Sequence, residues 1–400
     1  MSTSTDTDTI QGFTKDGLAE FNAKFHALVD DGKLANVVTL IARHGEIVNY
    51  DAYGVLDISA TPPVPVKVDS IFRIASMTKP LTAAAMMMLW EQGKWALEDP
   101  VSKFIPEFEG LKVKQEDGEL VEQTAPMTMK QLMSHSAGFG SRPEYDDMRT
   151  GDLQDMIDFL AKLPLFLQPG RGWRYGPCVD IQGYIIEKIT GQSFDEFIEH
   201  ILLAPLGMVD TGYVLPESKV ERLVSNHKFD ENGKLVAVDL PGSYNASKPK
   251  FVGAGGGLML STAKDYWRFS QMILNGGEFE GKRYLRASTV EMMHTNVLEL
   301  GVKVRAFRRE LDGLGFGLGF AIVEDPAAVP ISQGIHSYFW SGAYGTLFWI
   351  DPVNDLIVIG FLNQVIDVSP ARTAVVRETA AKSVYKALKE SSGNQAEQSS

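Results

Sequence analysis

The chain has 400 residues, 44% of them hydrophobic, and a formal net charge of −13 from 51 acidic and 38 basic side chains. That length supports one large or two interleaved domains around a sizeable core. The charge, with no basic patch to offset it, argues against nucleic acid or an anionic membrane as partner and mildly against highly anionic substrates.

No apolar run approaches the roughly 18 residues of a membrane span, and the lone Cys178 allows no internal disulfide. Residues 1–9 are rich in Ser, Thr and Asp, with neither a basic start nor an apolar stretch. No secretory signal is visible there, so a cytoplasmic location is expected. Residues 1–9 and 391–400 read as disordered tails. Residues 18–29 have helical spacing of apolar positions, and 36–55 read as a hairpin turning at His44-Gly45. From 76 to about 250 the pattern is helices and long loops without clear strand alternation. Helices are expected at 129–134, 153–163 and 179–189, the last stopped by Gly191. Strands return at 315–323, 336–340, 346–351 and 356–363, and a helix from 370 to about 389 closes the chain. The simplest assembly is an α+β fold: an antiparallel sheet built by 10–75 and 251–390, flanked by terminal helices, with an all-helical domain of 76–250 inserted.

Within this frame, Ser76-Met77-Thr78-Lys79 puts a hydroxyl and an amine three residues apart, on one face of a helical turn. An amine held against a serine in a dry pocket can act as its base. The same spacing recurs at Ser225/Lys228, Ser247/Lys250, Ser261/Lys264 and Ser383/Lys386, so placement has to choose. From sequence only Ser76 reads as placed at a helix start: Pro80 falls in the first turn, where a missing N–H costs least, and residues 81–90 continue as a helix until Gly93. By itself the tetrapeptide also fits an ordinary helix cap with a solvated lysine.

No serine has the glycines of a Gly-x-Ser-x-Gly elbow, and neither a His-x-x-x-His pair nor a Gly-x-x-x-x-Gly-Lys loop occurs, so neither metal nor cofactor is expected. Gly172-Trp173-Arg174-Tyr175-Gly176-Pro177 precedes a helix in a way that would present Tyr175 at a cleft. There a phenol near an ammonium could share the Ser76 proton with Lys79. His135 reads as structural, Gly255 to Gly257 as tight backbone packing, Met86 to Met88 as helix core and Cys178 as an inert apolar residue.

With Ser76-x-x-Lys79-Pro80, Tyr175, Leu132-Met133-Ser134-His135-Ser136-Ala137-Gly138, Gly255-Gly256-Gly257 and Trp340-Ser341-Gly342-Ala343-Tyr344-Gly345 in place, the chain resembles the serine β-lactamase and penicillin-binding-protein superfamily. The resemblance spans roughly residues 18–390 and is strongest to the class C-like branch that holds the family VIII carboxylesterases. It implies a mixed α/β domain and a helical domain with the site between them. Ser76 would be the nucleophile, Lys79 and Tyr175 the base and acid, and the backbone N–H groups of Ser76 and Ala343 the oxyanion hole. Two departures bear on substrate. Where β-lactamases and D,D-peptidases carry Lys/His-Thr/Ser-Gly, this chain has Trp340-Ser341-Gly342, and Tyr-x-Asn becomes Tyr175-Gly176-Pro177. A lysine would attract a carboxylate by about 1.5–3 kcal/mol; a tryptophan offers an apolar wall. Trp340, Ser341 and Gly342 are therefore expected to line the substrate site, and His336, four residues before Trp340, to reach the cleft.

The resulting expectation is a cytoplasmic serine hydrolase of short to medium acyl esters, acting on small molecules. β-Lactamase or D,D-peptidase activity, acyl transfer to an alcohol, and a silent scaffold are the rivals. The oligomeric state is left open.

Overall fold

The computed structural model describes residues 9–141, 151–239, 244–256, 259–306, 309–329, 333–365 and 370–392. The chain opens with α1 (Lys15–Asp30), capped by the Thr14 hydroxyl, which accepts the Gly17 N–H at 3.0 Å. β1 (Asn36–Arg43) and β2 (Glu46–Gly54) follow as a hairpin. His44 and Gly45 both take positive φ (53° and 78°), the backbone that a two-residue turn between twisted strands requires. The short β3 (Phe72–Arg73) leads through one 3-10 turn into α2 (Thr78–Glu91). α3 (Met129–Met133), α4 (Leu153–Leu160) and α5 (Cys178–Thr190) belong to the helical part. α5 ends at Gly191, whose φ of 70° supplies the left-handed cap. β4 (Leu260–Ser261) and α6 (Ala263–Leu274) return the chain to the sheet. β5 (Leu314–Phe316), β6 (Ala321–Val323), β7 (Tyr338–Ser341), β8 (Leu347–Asp351), β9 (Leu356–Phe361) and α7 (Pro370–Ser392) complete it.

Seven strands form one antiparallel sheet in the order β5-β6-β7-β8-β9-β1-β2, so the chain-distant β9 and β1 are neighbours, with Val358 opposite Ile41. Both faces of the central strands are covered, and β8 and β9 read as nearly continuous apolar runs for that reason. Val37, Ile41, Trp349 and Val358 point toward α1 and α7, where they join Phe21, Phe25 and Val384. Val38, Leu40, Phe348, Ile350 and Ile359 point the other way, into a core shared with α6 and α2. The two halves of that alternation define the two layers. α1 and α7 approach closely: a Cβ on Gly17 would lie 2.8 Å from the Ala387 Cβ. α2 is buried on all sides from Thr78 to Leu89, the signature of a helix apolar around its whole circumference.

Four expectations change. Residues 315–323 form two three-residue strands instead of one, because the backbone at Gly317 and Gly319 presses onto its neighbours. A Cβ there would meet the Met293 carbonyl oxygen at 2.2 Å and the Ala83 Cβ at 2.6 Å. Short strand pairs appear in the helical part, Val113–Lys114 with Leu120–Val121 and His227–Phe229 with Leu235–Ala237. Thr9, expected in a disordered tail, pairs with Thr14, and α7 runs to Ser392; the rest of both expected tails lies outside the described residues. His336 precedes β7 in an exposed turn with a φ of 64° instead of lying in the strand.

Candidate active site

The backbone before Ser76 is clamped by segments distant in sequence. β3 pairs with β4, Ile74 N–H donates to the Met259 carbonyl at 3.0 Å, and the Asn363 side chain bonds both backbone groups of Arg73, at 2.9 and 3.0 Å. Ala75 then adopts a φ of 44°, left-handed for a residue with a Cβ, at a cost of about 1–3 kcal/mol. The surrounding bonds hold it there: Thr78 Oγ1 donates to the Ala75 carbonyl at 2.7 Å, and the Tyr266 hydroxyl donates to the Met77 carbonyl at 2.9 Å. Ser76 sits within that 3-10 turn, half-buried, with its hydroxyl toward the cleft.

Lys79, in the first turn of α2, and Tyr175, in the loop before α5, converge on it. Lys79 Nζ lies 3.3 Å from Ser76 Oγ and donates also to the Gly255 carbonyl, while the lysine itself is buried. The Tyr175 hydroxyl donates to Ser76 Oγ at 2.7 Å, and Lys79 Nζ stands 4.6 Å from the Tyr175 ring centre. Tyr175 is delivered by the loop before α5, whose N-cap residue is Pro177. Behind the phenol, His135 packs at ring distances of 5.2 Å from Tyr175, 5.7 Å from Trp173 and 5.4 Å from Phe316. Burial, with a smaller effect of the Lys79 charge, pushes the His135 imidazole down to about 3, so it is neutral near pH 7. The histidine supports the tyrosine as a packing residue.

The opposite wall is the end of β7. Trp340 is half-buried, 5.6 Å from the Tyr175 ring and edge-on to Phe316. Its indole N–H is buried without a partner among the described residues. Gly342 lets this strand end lie against the backbone before Ser76: a Cβ there would sit 2.2 Å from Thr346 Oγ1 and 2.4 Å from the Ile74 carbonyl oxygen. Ala343, next in the turn, is exposed, and Ser341 is half-buried beside it. Gly256 closes the other side. A Cβ on it would stand 3.3 Å from Ser76 Oγ and 3.5 Å from Lys79 Nζ, so a glycine keeps the reacting atoms open.

The sequence-predicted Ser76, Lys79 and Tyr175 are thus brought within hydrogen-bond reach, with Trp340 against Tyr175 and Gly342-Ala343 alongside. His336, in its exposed turn before β7, does not join them. The glycine run was expected to provide close packing only. Gly255 does more, since its carbonyl anchors Lys79; Gly257 lies outside the described residues. The segment is tied in turn by Tyr213, whose hydroxyl donates to the Gly253 carbonyl at 2.9 Å, and by Thr82, whose hydroxyl donates to the Ala254 carbonyl at 2.8 Å. Among the described residues, no group of three His, Cys, Asp or Glu side chains is arranged to hold a metal ion, and no helix is long and apolar enough to cross a membrane.

An α+β fold that gathers a serine, a lysine and a tyrosine at one oxygen defines a serine acyl-transfer enzyme. The chain belongs to the Beta-lactamase family, which matches it over residues 21–381. Protein Rv1367c of Mycobacterium tuberculosis is similar at 34% identity over 372 residues, 88% of this chain and 92% of the relative. Esterase EstB of Burkholderia gladioli is 29% identical over 86% of this chain and 90% of its own length. Among solved structures, EstCE1, a hydrolase with promiscuous acyltransferase activity, superposes with a TM-score of 0.77 at 24% identity, covering 92% of this chain and 99% of that one. The fold is shared.

Proposed function

We propose that the protein is a serine carboxylesterase acting on neutral, short to medium acyl esters. The observation that carries this is the pair of contacts on Ser76 Oγ, 2.7 Å from the Tyr175 hydroxyl and 3.3 Å from Lys79 Nζ, opposite a wall whose side chain is Trp340. In the reactive form the Lys79 amine is unprotonated and takes the Ser76 proton as Oγ attacks the ester carbonyl. The N–H groups of Ser76 and Ala343 hold the oxyanion, a contribution of about 3 kcal/mol in such sites. Tyr175 gives its proton to the departing alkoxide and regains one from the Lys79 ammonium. Water then cleaves the acyl-enzyme by the same groups in reversed roles. Trp340 and Pro177 supply neither a cation nor an amide, which favours esters over β-lactams or peptide termini, and the similarity to Esterase EstB supports the same choice.

The test is turnover of p-nitrophenyl acetate, butyrate and octanoate beside a chromogenic cephalosporin, for wild type and Ser76→Ala. Esters are expected to be cleaved faster than the cephalosporin, and only by the wild type. Ester turnover that survives Ser76→Ala would remove the nucleophile, and a preference for the cephalosporin would overturn the reading of Trp340.

A further inference from the structure

Lys79 can serve Ser76 only while its amine is aimed, and four methylenes do not aim themselves. Its second anchor is the Gly255 carbonyl, so whatever fixes the Gly255 peptide fixes the base. That peptide is held from its other side: the Gly255 N–H donates to Asp180 Oδ1 at 2.7 Å. A Cβ on Gly255 would fall 2.8 Å from Asp180 Oδ2 and 3.0 Å from its Cγ, so the glycine lies directly on the carboxylate. Asp180 is in the first turn of α5, five positions after Tyr175, where a negative charge also suits the helix dipole. It has no ion-pair partner among the described residues, and its one hydrogen bond there is to Gly255. The flanking Gly253 and Ala254 carbonyls are tied by neutral hydroxyls, those of Tyr213 and Thr82.

We propose that Asp180 is a positioning residue for catalysis: through the Gly255 peptide it holds the carbonyl that aims Lys79 at Ser76. The α5 helix thereby carries both the tyrosine, just before its first turn, and the group that places the lysine. Acceptor geometry is what the role needs, because an N–H must be met at a fixed place. This inference rests on Ser76 being the nucleophile.

The experiment measures kcat and KM on p-nitrophenyl butyrate, with the rate of Ser76 labelling by a fluorophosphonate, for Asp180→Ala, Asp180→Asn, Gly255→Ala and the double variant Asp180→Ala/Gly255→Ala. Asp180→Ala is expected to lower kcat and the labelling rate by about 100-fold at unchanged KM, the scale of loss when a catalytic group is displaced by about 1 Å. Asp180→Asn, which keeps an oxygen for the Gly255 N–H, is expected to recover to within about fivefold of wild type. Gly255→Ala is expected to reproduce the loss by pushing the carboxylate away, and the double variant to lose no more than either single one, since both act at one contact. If Asp180→Ala does not fold, Gly255→Ala, with the split between kcat and KM, carries the test alone. A kcat within threefold of wild type in Asp180→Ala or Gly255→Ala, losses that multiply in the double variant, or an Asp180→Asn as slow as Asp180→Ala would overturn the proposal. A Ser76→Ala control that still turns over ester would instead overturn the nucleophile on which it rests.

Discussion

On the Ser76 wall of the cleft the polar groups around the nucleophile are hydrogen-bonded, from the Arg73 backbone through Thr78, Lys79 and Tyr175. On the Trp340 wall the contacts are mostly ring against ring, and the indole N–H finds no acceptor among the described residues. Hydrogen bonds fix atoms to within a few tenths of an ångström, whereas aromatic packing fixes shape and polarity. On the proposed function the two walls divide the side-chain work: the first carries the proton transfers of Ser76, Lys79 and Tyr175, while the second adds the Ala343 N–H to the oxyanion site and sets with the Trp340 ring which acyl compounds enter. Substitutions on the two walls should therefore differ in kind as well as size.

The largest effect is expected from Tyr175→Phe, which removes the proton donor to the leaving group. Its kcat should fall by about 10³-fold with little change in KM, read by steady-state kinetics on p-nitrophenyl butyrate. A KM effect alone would place Tyr175 among the substrate contacts instead. Gly342→Ala comes next because it forces the two walls apart at the Ile74 carbonyl and Thr346. We expect a loss of about 100-fold in kcat through the displaced Ala343 N–H, and about 2 kcal/mol of stability by urea titration. Trp340→Lys should leave acyl transfer in place and raise the ratio of kcat/KM for carboxylate-bearing over neutral esters by about tenfold, or 1.4 kcal/mol. An unchanged ratio would break the assignment of preference to this wall.

An effect on stability alone, outside the reaction, concerns the packing behind Tyr175. The His135 imidazole titrates near 3 in the folded protein, against about 6.5 in an unfolded chain. Between those values the unfolded chain binds a proton that the folded one refuses, so stability is full above pH 6.5 and declines as pH falls toward 3. The decline from this one group should be about 2 kcal/mol between pH 7 and pH 5. Urea unfolding at both values, for wild type and His135→Phe, should show the substitution flattening that slope.

How much of this was legible in the sequence depended on distance along the chain. Ser76 and Lys79 lie within one turn, and Pro80 marks where that turn begins, so local spacing identified them. The β1–β2 hairpin was legible through His44-Gly45 for the same reason. The left-handed Ala75 left no trace, because alanine has no preference for that backbone; bonds from residues far along the chain impose it. Nor could spacing reveal that Gly255 anchors Lys79 from 176 positions away. The run 315–323 looked like one strand because its residues are apolar at nearly every position, and only the neighbours under Gly317 and Gly319 force it to turn. His336 was misplaced by extending β7 two residues too far, since strand ends carry the weakest local signal.

The Asn363 side chain grips the backbone of Arg73 from 290 positions later in the chain. Gly342 likewise lies against the Ile74 carbonyl, just before the Ser76 turn, from the far end of the sequence. Long loops must close before either contact forms, and contacts of such separation arise late in folding. Esterase activity should therefore return after the helical signal when the denatured protein is refolded, making catalysis itself a reporter of the final assembly step.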